Sequence, residues 1–197
     1  DARRHPANIV DRGKSASPDF FLDWAFENVR ETAASMPQKS FVVRSTLDMD
    51  LQGAAEEAAE FHLRQFGEEY HVSQAAIVLL DVDGSVRALV GGRDYGASQF
   101  NRATKALRQA GSSFKSYIYA AAMENGYTPE SIVSDGPVSW GNWSPKNYSR
   151  SYSGRVNLTS ALARSLNTVA VRLAKEIGTT KVAALAKAMG VESEISL

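Results

Sequence analysis

Apolar positions at helical spacing first become clear after Asp48, where Leu51, Ala54, Ala55, Ala58 and Phe61 recur on one side and Gly67 stands near the end. They predict a helix whose acids and Arg64 take the wet face. Ahead of it, Ser17-Pro18-Asp19 combines a capping oxygen, a proline where no N–H is needed and an acid at the positive end of the dipole. This predicts a helix running to about Ala34, before Pro37. Between the two, Phe41 to Thr46 is rich in β-branched residues and predicts a strand. The period then changes to that of strands. Gln74 to Val82 and Val86 to Val90 flank Asp83-Gly84, which tolerates the positive φ of a hairpin turn, and Gly91-Gly92 ends the second run.

After a polar stretch, Ser112 to Glu124 predicts a buried helix carrying Phe114, Tyr117, Ile118, Ala121 and Ala122 with few charges. Tyr127 to Tyr152 holds Pro129, Pro137 and Pro145 with two tryptophans, and is too irregular for long elements; it predicts loops near a cleft. Leu158 to Ile177 is helical and closes at Gly178, and Thr180 to Met189 is a shorter helix closed by Gly190. The pattern is mixed, α+β. Residues 1–16 have little periodicity and predict a linker or loosely packed segment.

Composition narrows the function. In 197 residues, Lys plus Arg is 22 and Asp plus Glu is 22, so there is no net charge to draw in a polyanion, and nucleic acid is not an expected partner. Apolar stretches such as Ala75 to Leu80 are far short of the roughly 20 residues a membrane span needs. Without an initiator Met or a leader-like start, the natural N-terminus is expected to lie elsewhere. There are no cysteines, which excludes disulfides and thiolate metal sites without choosing a compartment.

The chemistry centres on Ser112 and Lys115, three positions apart at the start of an apolar helix, with side chains on one face roughly 5 to 6 Å apart at Cβ. A serine hydroxyl needs a base. A lysine desolvated by a buried helix can have its pKa lowered enough to serve, and the helix N-terminus favours negative charge on an attacked carbonyl oxygen. Gly111 would let a substrate approach closely. Ser-x-x-Lys also arises by composition about once in a chain of this length. Position favours the catalytic reading, because a lysine early on an apolar helix is costly to bury without a role or partner. Ser165-Leu166-Asn167 lies inside a helical run that it can break in two, with Asn157 capping the first helix. Its hydroxyl could relay a proton to a leaving amine while the carboxamide holds a substrate amide. It reads equally as a polar turn between helices.

Taken together, Arg108-Gln109-Ala110-Gly111-Ser112-Ser113-Phe114-Lys115 and Ala163-Arg164-Ser165-Leu166-Asn167-Thr168 resemble the first two motifs of the class A penicillin-binding proteins of the 1A type. Thr46-Leu47-Asp48 with Leu51-Gln52, Asn101-Arg102-Ala103 and Ser144-Pro145-Lys146-Asn147-Tyr148 are similar to family segments in family order. The resemblance covers roughly residues 18 to 192 and implies a penicillin-binding, serine β-lactamase-like transpeptidase fold, an antiparallel sheet with helices, of which residues 17–197 carry the first part.

The resemblance also implies roles: Ser112 the acylated nucleophile, Lys115 its base, Ser165 the proton shuttle to the leaving group, and Asn167 a substrate-binding amide. No cofactor and no metal are implied. The expected partners are peptidoglycan stem peptides ending in D-Ala-D-Ala, the β-lactams that acylate the same serine, and the remaining C-terminal part of the transpeptidase domain. A membrane anchor and a glycosyltransferase domain are expected outside this chain, joined through residues 1–16, with the whole on the extracytoplasmic or periplasmic face of a bacterial membrane.

Ala110 and Ser116 stand where family members often have proline, and no Lys-Thr-Gly occurs. Gly178-Thr179-Thr180-Lys181 has neither the order nor the strand context to replace it. Two rivals share these residues: a serine β-lactamase, against which the linker-like start and Trp140 to Tyr148 argue, and a catalytically silent scaffold for cell-wall assembly, against which the intact Ser112, Lys115, Ser165 and Asn167 argue.

Overall fold

A computed structural model of the chain describes residues 18–37 and 40–195. The expected linker over residues 1–16 and the Ser17 cap lie outside the described residues. The chain forms two compact units that divide between Leu107 and Arg108.

The first unit is built on an antiparallel hairpin, β1 (Ile77–Leu80) and β2 (Val86–Val90), with Ile77 opposite Val90 and Leu79 opposite Ala88. The hairpin predicted around Asp83-Gly84 is present. Its turn closes through Gly84 N–H to Asp81 O and Asp81 N–H to Ser85 O, with Gly84 at φ 85°, a conformation that glycine adopts without steric cost. Helix α1 (Asp19–Ala33) buries Phe20 and Phe21 in a cluster with Leu89. A Cβ on Gly91 would lie 2.6 Å from Phe20 Cδ1, so this glycine lets the chain pass against the aromatic ring.

Helix α2 (Met49–Phe66) forms where expected, but with a different face inward. Gln52, Ala59 and Leu63 are buried, while Leu51, Ala54, Ala58 and Phe61 are exposed. The reason is polar. Gln52 donates from Nε2 to Leu89 O at 3.0 Å and accepts from Leu89 N–H at 2.8 Å, so its amide continues the hydrogen-bond ladder of β2. Asp48 caps α2 by accepting from the N–H groups of Asp50 and Leu51, and its second oxygen takes Arg87 at 3.0 Å.

The strand expected over Phe41 to Thr46 does not form. Val42 and Val43 are exposed, so β propensity there has no packing to realise it; the segment meets β2 further on, where Thr46 Oγ1 and Asp48 N–H donate to Val86 O and Arg87 O. The polar stretch after the hairpin holds a short helix, α3 (Arg102–Lys105), capped by Asn101.

In the second unit, a 3-10 turn (Gly111–Phe114) leads into α4 (Lys115–Glu124). The stretch expected to lack long elements and to form loops contains the four-residue β3 (Ile132–Asp135), paired antiparallel with β4 (Gly154–Asn157). The run from Leu158 divides into α5 (Leu158–Ala163) and α6 (Asn167–Ile177), and Asn157 caps α5 through Ser160 N–H at 2.8 Å. Helix α7 (Thr179–Ala188) follows Gly178, so Thr179 to Lys181 is helical and not a strand. The core joins Tyr119 of α4 to Leu158, Ala161, Val169 and Leu173. Burying aliphatic side chains of this size stabilises by about 1.5 to 3 kcal/mol each.

Candidate active site

The site is built at the start of α4. Gly111 has φ 56° with open space where a Cβ would stand, so the glycine serves the backbone turn. Side chains three apart eclipse in a 3-10 turn, which brings Ser112 and Lys115 together: Lys115 Nζ lies 3.2 Å from Ser112 Oγ. Ala110, where family members often carry proline, has φ −64°, the angle a proline ring would impose. The backbone angle at Ala110 is thus one that proline would also adopt.

Lys115 is only 7% exposed. Its ammonium donates to Ser165 O at 2.7 Å, Ser165 Oγ at 2.9 Å and Asn167 Oδ1 at 2.6 Å. Among the described residues, the four oxygens within reach of Nζ are all neutral. Desolvation holds the Lys115 pKa below the ordinary lysine value, and among the described residues no carboxylate is bonded to it. Ser112 is exposed, so the hydroxyl is accessible while its neighbouring amine is not.

The turn between α5 and α6 brings up the other two residues. Ser165 N–H bonds Leu162 O at 2.8 Å and Leu166 N–H bonds Ala161 O at 3.0 Å, the two closures of a Schellman ending. Ser165 sits at the left-handed position with φ 52°, where glycine is usual. A non-glycine residue there costs roughly 1 to 2 kcal/mol, and such strain persists where the surroundings hold it. Here Lys115 holds it, through both the carbonyl and the hydroxyl of Ser165. The structure thus brings Ser112, Lys115, Ser165 and Asn167 together around one nitrogen, from segments some 50 residues apart in sequence.

Three buried polar residues behind the site had no role assigned from sequence: Asp135, Asn147 and Thr168. Asn147 stands in Ser144 to Tyr148, noted only as a family-like segment, and Asp135-Gly136-Pro137 reads as an ordinary turn. Asn147 Oδ1 accepts from the N–H groups of Asn167 at 2.9 Å and Thr168 at 3.3 Å, capping α6 from a distant loop. Tyr119 is buried nearby in the core, and burial, with the charge of Asp135, pushes its pKa up to about 12. Among the described residues no group of three metal-ligating side chains converges, and no helix is long and apolar enough to cross a membrane.

A mixed fold of this kind, with Ser-x-x-Lys facing Ser-x-Asn, points to one class, and the penicillin binding protein transpeptidase domain matches residues 75–197. The chain belongs to that family. Among its relatives, it is similar to penicillin-binding protein 1A of Rickettsia conorii, 34% identical over 192 residues, which is 94% of this chain and 23% of the relative. Penicillin-binding protein 1A of Neisseria flavescens is 45% identical over 113 residues, 53% of this chain and 14% of the relative. The fold is similar to that of the penicillin-binding protein PonA1 from Mycobacterium tuberculosis in complex with penicillin V, with TM-score 0.71 and 27% identity over 91% of this chain and 48% of that one. The chain thus spans about a quarter of the length of the curated relatives at its best coverage.

Proposed function

We propose that the protein is a peptidoglycan D,D-transpeptidase that works through an acyl-serine intermediate on Ser112 and is a target of β-lactams. The observation that carries this reading is the buried Lys115 amine 3.2 Å from Ser112 Oγ, with only neutral oxygens around it. As a neutral amine, Lys115 has two N–H groups and one lone pair. Asn167 Oδ1 and the Ser165 carbonyl can take the N–H groups, which leaves the lone pair for a hydroxyl proton, and both Ser112 Oγ and Ser165 Oγ are within reach.

The proposed cycle begins as Lys115 takes the Ser112 proton while Oγ attacks the carbonyl of the penultimate D-Ala. The amide C–N bond breaks, and the proton passes from Lys115 through Ser165 Oγ to the leaving D-Ala amine. The amine of a second stem peptide then attacks the ester, loses its proton back along the same path, and frees Ser112. Asn167 binds a backbone amide of the donor peptide through its carboxamide. The penicillin complex of the mycobacterial relative supports β-lactam binding in this fold. Incubating the full-length protein with a fluorescent penicillin and mapping the adduct by mass spectrometry is the test. Label on Ser112 is expected; label on Ser113 alone, or on no serine, overturns the reading, and the absence of any label favours a silent scaffold.

We further infer that strands beyond residues 1–197 complete the sheet of the first unit. Strand β1 is paired on one edge among the described residues, and Val78, Leu79 and Leu80 are exposed. Beside it, Ala58, His62, Leu63, Phe66 and Ile77 line an apolar groove. An isolated two-stranded hairpin is marginal, and an open apolar edge invites pairing. A Lys-Thr-Gly strand outside residues 1–197 would bind the substrate carboxylate and add an oxyanion-hole donor, and losing one such donor costs about 100- to 1000-fold in rate. Residues 1–197 alone are therefore expected to transpeptidate negligibly. Cooperative unfolding of that segment as a monomer, with penicillin acylation near the full-length rate, would prove this wrong. On this reading the site works at the extracytoplasmic face, held by an anchor outside this segment, and the family resemblance supports it.

A further inference from the structure

Asp135, the last residue of β3, has no exposed surface. A buried carboxylate is costly unless its lone pairs are satisfied, and here three donors converge on it. Thr168 Oγ1 donates to Oδ1 at 2.5 Å, Asn147 Nδ2 to the same oxygen at 2.7 Å, and the Ser153 N–H to Oδ2 at 2.7 Å. Burial pushes the Asp135 pKa up, but these hydrogen bonds outweigh it and hold the carboxyl below its ordinary value. The group is an acceptor anion in the fold.

What the anion fixes is the orientation of one amide. Asn147 Nδ2 also donates to Ser151 O at 3.0 Å, so both of its known partners are acceptors and the amide is set one way round. Its Oδ1 is thereby aimed at the N–H groups of Asn167 and Thr168, the first two residues of α6. Thr168 is held a second time by its hydroxyl on Asp135. The start of α6 is thus anchored at two adjacent residues by one carboxylate, directly and through Asn147. Asn167 Oδ1 is in turn 2.6 Å from Lys115 Nζ, and Ser165, two residues earlier, gives that nitrogen its carbonyl and hydroxyl.

We propose that Asp135 is a positioning residue for acyl transfer: through Asn147 and Thr168 it sets the α5–α6 turn at its working distance from Lys115, an inference that rests on the reading of Ser112 and Lys115 above. Asp135 touches neither substrate nor reacting atoms. Its effect falls on the rate of the acylation step, because a displacement of about 1 Å in such groups can cost on the order of 100-fold.

The isosteric change Asp135→Asn is discriminating. Two of the three neighbours, Asn147 Nδ2 and Ser153 N–H, can only donate, and they sit on different carboxylate oxygens. Whichever way an asparagine amide turns, its NH2 faces one of them. In the full-length protein, Asp135→Asn is expected to lower the acylation rate constant for a fluorescent penicillin by about 10- to 100-fold, with the dissociation constant of the preceding non-covalent complex changed less than about threefold. The rate is read per folded molecule, counted from the limiting fraction labelled. In an Asn167→Ala background the same change should cost less than it does in the wild type, because part of its effect runs through the Asn167 side chain and the rest through Ser165.

A wild-type rate in Asp135→Asn, or a loss that multiplies in full with that of Asn167→Ala, would overturn the inference and leave the Ser112 reading standing. Wild-type protein that takes no label at all would overturn both. Should Asp135→Asn fail to fold, Thr168 decides: Thr168→Ser keeps the hydroxyl and should acylate near the wild-type rate, whereas Thr168→Val should be slow, and a fast Thr168→Val overturns the proposal.

Discussion

Gln52 and Lys115 are both long polar side chains taken almost wholly out of water, at 1% and 7% exposure, yet they do opposite things with their burial. Gln52 is neutral and meets a strand backbone with one donor and one acceptor, each matched at Leu89, and it passes a further hydrogen bond to Glu56. It has no charge to lose. Its hydrogen bonds hold α2 against β2. Lys115 brings an ionisable amine into a place with four neutral oxygens and no carboxylate partner, so the charged form is the one penalised. Burial of a matched amide yields stability; burial of an unmatched amine yields reactivity.

Four substitutions sharpen that contrast, beginning with the largest effect. Lys115→Ala should slow acylation by at least about a hundredfold, the usual scale for losing general-base help, while circular dichroism shows the fold kept. Stopped-flow mixing with a fluorescent penicillin checks it, and a wild-type rate would require another base. Gln52→Ala should do the reverse. It leaves the buried N–H and carbonyl of Leu89 without their side-chain partner, at about 1 to 3 kcal/mol for each group stranded, while acylation per folded molecule stays unchanged. Urea unfolding monitored with labelling separates the two.

Ser165→Gly should relieve roughly 1 kcal/mol of left-handed strain and stabilise the protein against urea, yet slow the transfer of the proton to the leaving group. A glycine that leaves turnover intact would remove Ser165 from the proton path. Asn157→Ala, which deletes the cap of α5, should cost about 1 kcal/mol of stability by the same denaturant measurement. An unchanged midpoint would mean that backbone and solvent replace the cap without loss.

The same contrast explains what could be read from sequence. Ser112 and Lys115 were legible because three residues of local backbone bring them together, and the hairpin was legible because Asp83-Gly84 marks its turn. Their meeting with Ser165 and Asn167 was available only through family resemblance, since no spacing rule connects positions some 50 residues apart. The inward face of α2 was misread because Leu51, Ala54, Ala58 and Phe61 look like the buried set, while a glutamine bonded to Leu89 decides which side faces β2. Phe41 to Thr46 failed as a strand for want of a packed face, and β3 escaped notice because its partner β4 lies beyond a long irregular connection. The Asp135 network was invisible for a like reason: four of its polar contacts join residues 12 to 33 positions apart.

The central claim is that burial without an anionic partner lowers the pKa of Lys115, and the most direct measurement is its titration by NMR. With 13C at lysine Cε and the resonance assigned by its loss in Lys115→Arg, the Lys115 signal is followed as pH is raised. Since deprotonation makes the base, the acylation rate should climb through the same midpoint. The account predicts that Lys115 titrates below the ordinary lysine value of 10.5, ahead of exposed lysines, with the rate tracking it. A midpoint at or above 10.5, or a rate that is flat across the transition, would contradict it.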